Sequence, residues 1–172
     1  MSYESNAQPI KLGYLFDFKL PAGYPKEMRD DLTQTFELVF DEGLRQGMID
    51  RRVEIVFREV EGLPKGTVKA VIDAYGELVD EGCLAVFGPA ITDNCVPTKE
   101  AIEQRFHVPA ISVTGAEDWL GEWTFSLSMG SMTDEPIFWA HLLKKGGHTD
   151  VGLLVEKSLV GASYAKSFHT AC

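Results

Sequence analysis

The sequence predicts a doubly wound α/β domain, a mostly parallel sheet with helices on both faces. Two observations carry this. Apolar runs of strand length alternate with segments of helical period at about 25 to 30 residues per unit, as right-handed β-α-β crossovers require. The third run, CLAVFGP, is apolar nearly throughout, as a strand covered on both faces of a parallel sheet must be.

The elements follow in order. Residues 9–16, PIKLGYLF, make a first strand closed by Asp17 and the loop FKLPAGYP. From Lys26 onward Met28, Leu32, Phe36, Val39, Phe40, Leu44 and Met48 recur at steps of three and four, which predicts a long helix ending near Gly47. Val53 to Phe57 reads as the second strand, bounded by Gly62 and Pro64. Val68, Val71, Ile72, Tyr75, Leu78 and Val79 place a second helix, which Gly82 stops. After CLAVFGP, residues Ala101, Ile102, Arg105 and Phe106 suggest a third helix, and VPAISV a fourth strand. A fourth helix is expected from Pro136 to Lys145, packing through Ile137, Phe138, Ala140, His141 and Leu142. The apolar strand DVGLLVE should follow it. GASYAKSFHTAC then reads as a helix with Tyr164 and Phe168 on one face, and the sequence stops inside it. A boundary is expected between Leu120 and Ser128.

Ligands of open parallel sheets sit outside the carboxyl ends of the strands. That makes four loops candidates: Asp17 to Pro25, Val60 to Pro64, Gly88 to Asn94 and Thr114 to Trp119. In the third, VFGPAITDN, Gly88 admits close backbone approach, Thr92 carries a hydroxyl, and amides at a helix start suit an anion. The same residues also read as turn chemistry, with Asp93 or Asn94 capping the next helix and Pro97 in its first turn. Both readings stand. In the fourth loop Gly115 permits close approach, and Trp119 is either an aromatic wall or a core residue.

Composition narrows the function. The 16 Lys and Arg against 26 Asp and Glu leave a net charge of -10, which repels nucleic acid and favours a small neutral or zwitterionic ligand. No apolar run reaches the roughly 18 to 20 residues that span a bilayer, so no membrane insertion is expected. The start, MSYESNAQPIKLGYLF, has the form of neither a leader nor an anchor. Cys83, Cys95 and Cys172 have no CxxC spacing and read as free, packed thiols. The four histidines form no metal-binding pair, so neither a metal nor a cofactor is expected. GLPKGTV is not a Walker loop, and neither a GxGxxG nor a GxSxG stretch occurs. Pairs such as Glu59 and Glu61 read as solvated faces, so catalysis is not expected.

Taken together, IKLGYLFDF, FDEGLRQGMIDRRVEIVFRE, LPKGTVKAVIDAYGELVDEGCLAVFGPAITDN and VPAISVTGAEDWL resemble, in order and spacing, the first lobe of the type I periplasmic binding proteins. The resemblance is to the branched-chain amino acid (Leu/Ile/Val) receptors of ABC transporters, and it spans nearly the whole chain. It implies a tail at 1–8, a first ligand-binding lobe at 9–121, and at 122–172 a crossover into a truncated second lobe. It further implies a receptor that closes on a small carboxylate-bearing ligand, passes it to a membrane permease, and works in the periplasm or otherwise outside the cytoplasm.

By this resemblance Thr92, beside the backbone of Ala90 and Ile91, takes the ligand carboxylate. Gly115 and Ala116 fall where the family holds the α-amino group by a carbonyl and a Thr hydroxyl, and Phe18 falls where an aromatic lines the cleft. Glu59 or Val60 lies near an acidic position of the family. The ligand implied is amino-acid-like or another organic acid; Ala116 has no hydroxyl and Val160 before Gly161 replaces the family's aromatic, which weakens the amino acid assignment and brings an apolar or non-amino-acid ligand forward. A cytoplasmic ligand sensor of the same fold, of the amide-sensing kind, is the alternative; a small α/β enzyme is a further one.

Overall fold

A computed structural model describes residues 7–19 and 27–172. Much of the first candidate loop, at 20–26, and most of the tail lie outside the described residues, as does the Met28 side chain. Strand β1 (Ile10–Phe16) is followed by helix α1 (Glu27–Arg45), β2 (Val53–Glu59), α2 (Val68–Asp80), β3 (Val86–Phe87) and α3 (Thr92–Ala101). A π-helical turn, Ile102–Phe106, continues α3. Then come β4 (Ala110–Ser112), a 3-10 turn (Glu117–Trp119), β5 (Thr124–Ser126), α4 (Asp134–Lys145) and α5 (Leu159–Ala171).

The five strands form one sheet in the order β2-β1-β3-β4-β5, and every pairing is parallel. The longest ladder joins β1 to β2 from Ile10 opposite Val53 to Phe16 opposite Glu59. The chain leaves β1 toward one edge and later builds toward the other, so the direction switches beside β1 and β3. In doubly wound sheets that switch opens a crevice at the strands' carboxyl ends.

Alternation along β1 decides the two faces. Leu15 points to the side where Val56, Val71, Tyr75, Leu78, Val86 and Ile102 form the core under α2 and α3. Tyr75 is buried, and its hydroxyl donates to the Val108 carbonyl at 2.8 Å, which makes that burial affordable for a phenol. Tyr14 faces the other side, where its ring meets Phe57 at 5.6 Å and Phe36 of α1 at 5.3 Å. Phe36 also reaches Phe87 of β3 at 5.1 Å. Helices therefore cover both faces, as the apolar runs required.

Several expectations change. The segment TFS forms a strand, β5, because Ala110 to Ser112 offer a parallel edge that Thr124 to Ser126 take up. Two helical side chains hold the connection. Lys99 Nζ donates to the carbonyls of Asp118 and Leu120, and Glu103 accepts from the Glu122 and Trp123 amides and the Thr124 hydroxyl.

Desolvation pushes the Glu103 carboxyl up. The bonds from Thr124, Trp123 and Glu122 and the nearby Lys99 charge outweigh it, leaving the group below its ordinary value of 4.5. A depressed carboxylate stabilises the fold above its ordinary value, and that contribution disappears as pH falls through the lower folded value. Glu103→Ala should lower stability by about 1–3 kcal/mol at neutral pH, measured by urea denaturation. A variant no less stable than the parent would refute this clasp.

The expected strand DVGLLVE does not form. Residues 151–156 carry no ladder, Leu154 is fully exposed, and among the described residues no strand edge stands beside them. An apolar run becomes a strand only where an edge accepts its backbone groups. On α4, Ala140 is buried, whereas Phe138, His141 and Leu142 face solvent. Phe168 of α5 is buried, and Tyr164 beside it stacks on Trp139 at 5.2 Å. Cys83 and Cys95 are packed as expected, but Cys172 is exposed. No helix among the described residues is long and apolar enough to cross a membrane.

Candidate functional site

The third loop leaves β3 at Gly88 and enters α3 directly. Ile91 is the N-cap residue, and no side chain caps the helix. The expected capping by Asp93 or Asn94 is thus corrected: both lie inside α3, and Pro97 sits further along it than the first turn. Each has been drawn into a longer-range bond that outcompetes the local one. Asn94 is buried; its Oδ1 accepts from the Leu63 amide at 2.8 Å and its Nδ2 donates to Asp17 Oδ2 at 2.7 Å. Asp93 accepts from the Leu159 amide at the start of α5, at 3.0 Å.

Asp17, the acid that ends β1, is also buried. Its carboxylate accepts from the amides of Ala90 at 2.9 Å and Ile91 at 3.1 Å. Burial pushes its carboxyl up; the Ala90, Asn94 and Ile91 donors pull it down without cancelling that. The amides of Ala90 and Ile91 therefore already have a carboxylate, one supplied by the protein.

Thr92, the first residue of α3, turns its hydroxyl the other way. Thr92 Oγ1 lies 2.8 Å from Thr114 Oγ1, and both side chains are buried. Thr114 Oγ1 also accepts from the Ala116 amide at 3.3 Å. Two hydroxyls sharing one hydrogen bond leave one O–H unused, so the pair retains a donor for an incoming acceptor.

A cleft of about 360 Å³ opens beside this pair. Ala90 and Thr92 follow β3, Thr114 and Gly115 follow β4, Met129 and Met132 follow β5, and Glu135 and Tyr164 close it from α4 and α5. Its volume suits a small ligand. Gly115 is required where it is: a Cβ would stand 2.4 Å from the Gly130 carbonyl oxygen. Glu135 accepts from the Ser131 amide at 3.0 Å and the Tyr164 hydroxyl at 2.8 Å. Burial, that bond and the Glu135 charge all push the Tyr164 phenol up. Among the described residues no Lys or Arg lines the cleft, so an anion here depends on uncharged donors such as the hydroxyls. Larger hollows, about 410 Å³ between α4 and α5 and about 640 Å³ along the end of α1, lie away from the strand ends.

Of the residues singled out in the sequence, Ala90, Thr92 and Gly115 meet at this cleft. Ile91 is engaged with Asp17. Ala116 lines a neighbouring hollow with Glu117, Asp118 and Ser163. Phe18 packs its ring 4.0 Å from that of Phe16 and does not line the cleft. The Val60 amide bonds Phe16, and Val160 and Gly161 border a different hollow beside Trp139. Trp119 is a core residue: it is wholly buried, and its Nε1 donates to the Phe125 carbonyl at 2.8 Å. Asp17 and Thr114 open two of the candidate loops and Tyr164 falls on a helix face, but sequence reasoning assigned none of them a role in the site, and it did not single out Glu135. Asp17 had a visible signal, an acid at the end of an apolar strand; Glu135 and Tyr164 had none, since only α4 and α5 packing brings them in. Among the described residues no cluster of His, Cys, Asp and Glu is arranged to hold a metal.

No protein-family model and no curated protein matches the sequence. Solved structures do. An ABC-transporter substrate-binding protein from Desulfitobacterium hafniense superposes with a TM-score of 0.69 at 19% identity, covering 95% of this chain and 47% of its own. The fold is that of a periplasmic substrate-binding-protein lobe. A possible leucine/isoleucine/valine-binding protein from Rhodopirellula baltica SH 1 matches at TM-score 0.69 and 18% identity, covering 96% of this chain and 44% of that one. A solute-binding protein from Rhodopseudomonas palustris HaA2, in complex with p-hydroxybenzoic acid, matches at 0.67 and 18%, covering 95% and 43%. The chain thus spans less than half of each of these proteins.

Proposed function

We propose that this chain supplies the first lobe of a solute-binding receptor serving an ABC transporter. It would act outside the cytoplasm and present a captured ligand to a membrane permease. The observation that carries this is the buried Thr92–Thr114 hydroxyl pair, which faces a cleft at the carboxyl ends of adjacent parallel strands. The ligand is a small organic acid: its carboxylate takes the spare O–H of the pair, with the backbone at Gly115 alongside.

A hydroxylated aromatic acid fits better than an amino acid. Ala116 lacks a hydroxyl for an α-amino group and lies off the cleft, whereas Glu135 can accept from a ligand hydroxyl and the methionines can pack a ring. The Rhodopseudomonas complex with p-hydroxybenzoic acid is in keeping with that class. Nothing in the cleft calls for a catalytic step; binding alone accounts for its groups.

The test is an NMR titration of the 172-residue chain with p-hydroxybenzoate, benzoate, leucine and valine. The chain spans less than half the length of the solved proteins it resembles, so part of a closed cleft's contacts is missing and affinity on the order of millimolar is expected, with p-hydroxybenzoate strongest. The amides of Thr92, Thr114 and Gly115 should move. Tight leucine or valine binding, or shifts confined to other surfaces, would defeat the reading.

A further inference from the structure

Asp17 stands at the carboxyl end of β1, where the strand order reverses and the sheet's crevice is expected. Its side chain is wholly buried and pairs with no Lys or Arg among the described residues. Three N–H groups compensate it instead: those of Ala90, Ile91 and the Asn94 side chain. Asn94 cannot flip, because its oxygen is committed to the Leu63 amide, so its NH₂ must face Asp17. The carboxylate thereby joins the end of β1 to the turn after β3 just before Thr92, and Asn94 extends the link to Leu63 in the loop after β2.

We propose that Asp17 is a resident anion that occupies the amide seat ahead of α3, positions Thr92, and denies those amides to a ligand, leaving the ligand's acid to the Thr92–Thr114 hydroxyls. Its clause on the ligand rests on the receptor reading; its clause on the seat does not. A chain with this arrangement discriminates by geometry. A carboxylate entering the cleft meets hydroxyl donors on one side, and the amides behind them are already saturated.

Removing the side chain should expose the seat. In Asp17→Ala, two backbone amides and one side-chain amide would converge on a space the size of a carboxylate, and formate fits it. Thermal unfolding of the parent and Asp17→Ala is compared in sodium formate and in sodium chloride at equal ionic strength. The expected result is a destabilised variant whose loss is at least half recovered by formate, with no formate effect on the parent. In the variant, formate should shift the amide signals of Ala90 and Ile91. Formate acting equally on both proteins, or not at all on a folded variant, would overturn the proposal.

If Asp17→Ala does not fold in either salt, the parent decides. On acid titration its Ala90 and Ile91 amide protons must move together with the Asp17 carboxyl carbon, and independent behaviour overturns the proposal. The ligand arm separates the two readings. Formate rescue without any p-hydroxybenzoate binding leaves the seat standing and the receptor reading defeated; Thr92 shifts with p-hydroxybenzoate but no rescue give the reverse.

Discussion

Gly88→Ala is expected to cost about 4 kcal/mol, a large share of the roughly 5–15 kcal/mol that keeps a domain folded. Gly88 has φ of 111°, a region that side chains rarely enter, and a Cβ there would lie 2.3 Å from the Leu15 carbonyl oxygen. Both obstacles are backbone, so no rotamer change relieves them. The Gly88 amide also donates to Ile111 of β4 at 2.8 Å, and Leu15 lies in the buried face of β1. Any shift that accommodates the methyl must therefore disturb the three central strands together. It would also move Ala90 and Ile91 off Asp17 and displace Thr92. Urea denaturation of the variant should show a collapsed midpoint, and a midpoint equal to the parent's would show that the loop is looser than described.

Trp119→Ala comes next, at about 3–5 kcal/mol. Among the described residues the indole is the largest wholly buried side chain, and its N–H donates to the Phe125 carbonyl of β5. Deleting it opens a cavity under the turn between β4 and β5 and leaves that carbonyl without its indole donor. Trp119→Phe separates the two contributions: it keeps most of the apolar volume and loses the bond, so about 1–2 kcal/mol is expected. Far-ultraviolet circular dichroism through a urea series would rank them. The account fails here if the Phe variant is as damaged as the Ala variant.

These two sites show what could be read in the sequence and what could not. The apolar run ending at Val86–Phe87 and the helical period from Val68 to Val79 identified the layers, because burial on a strand and on a helix leave different periods. Gly88 and Gly115 were legible as points of close approach, since no other residue type leaves that space. Trp119 was ambiguous. An indole after a strand serves equally as a wall or as core, and only the position of Phe125 decides.

The residues that were missed depend on partners far along the chain. Asn94 looks like a helix cap until Asp17 and Leu63 are placed beside it, with 77 residues separating it from Asp17. Glu135 and Tyr164 belong to helices that local pattern places on α4 and α5 but not against Thr92. Conversely, 150–156 has every local mark of a strand and lacks only an edge to join. Pairing is a property of two segments, and periodicity describes one.

The central claim is that Thr92, paired with Thr114, receives the acid group of a small ligand. Thr92→Val keeps the shape of the side chain and removes the hydroxyl, so comparing its p-hydroxybenzoate titration with the parent's by amide NMR tests the claim most directly. The account predicts saturable shifts at Thr92, Thr114 and Gly115 in the parent and at least tenfold weaker binding in the variant, about 1.4 kcal/mol. Identical titration curves for parent and variant, or shifts centred on the hollow beside Trp139 and Phe168, would contradict it.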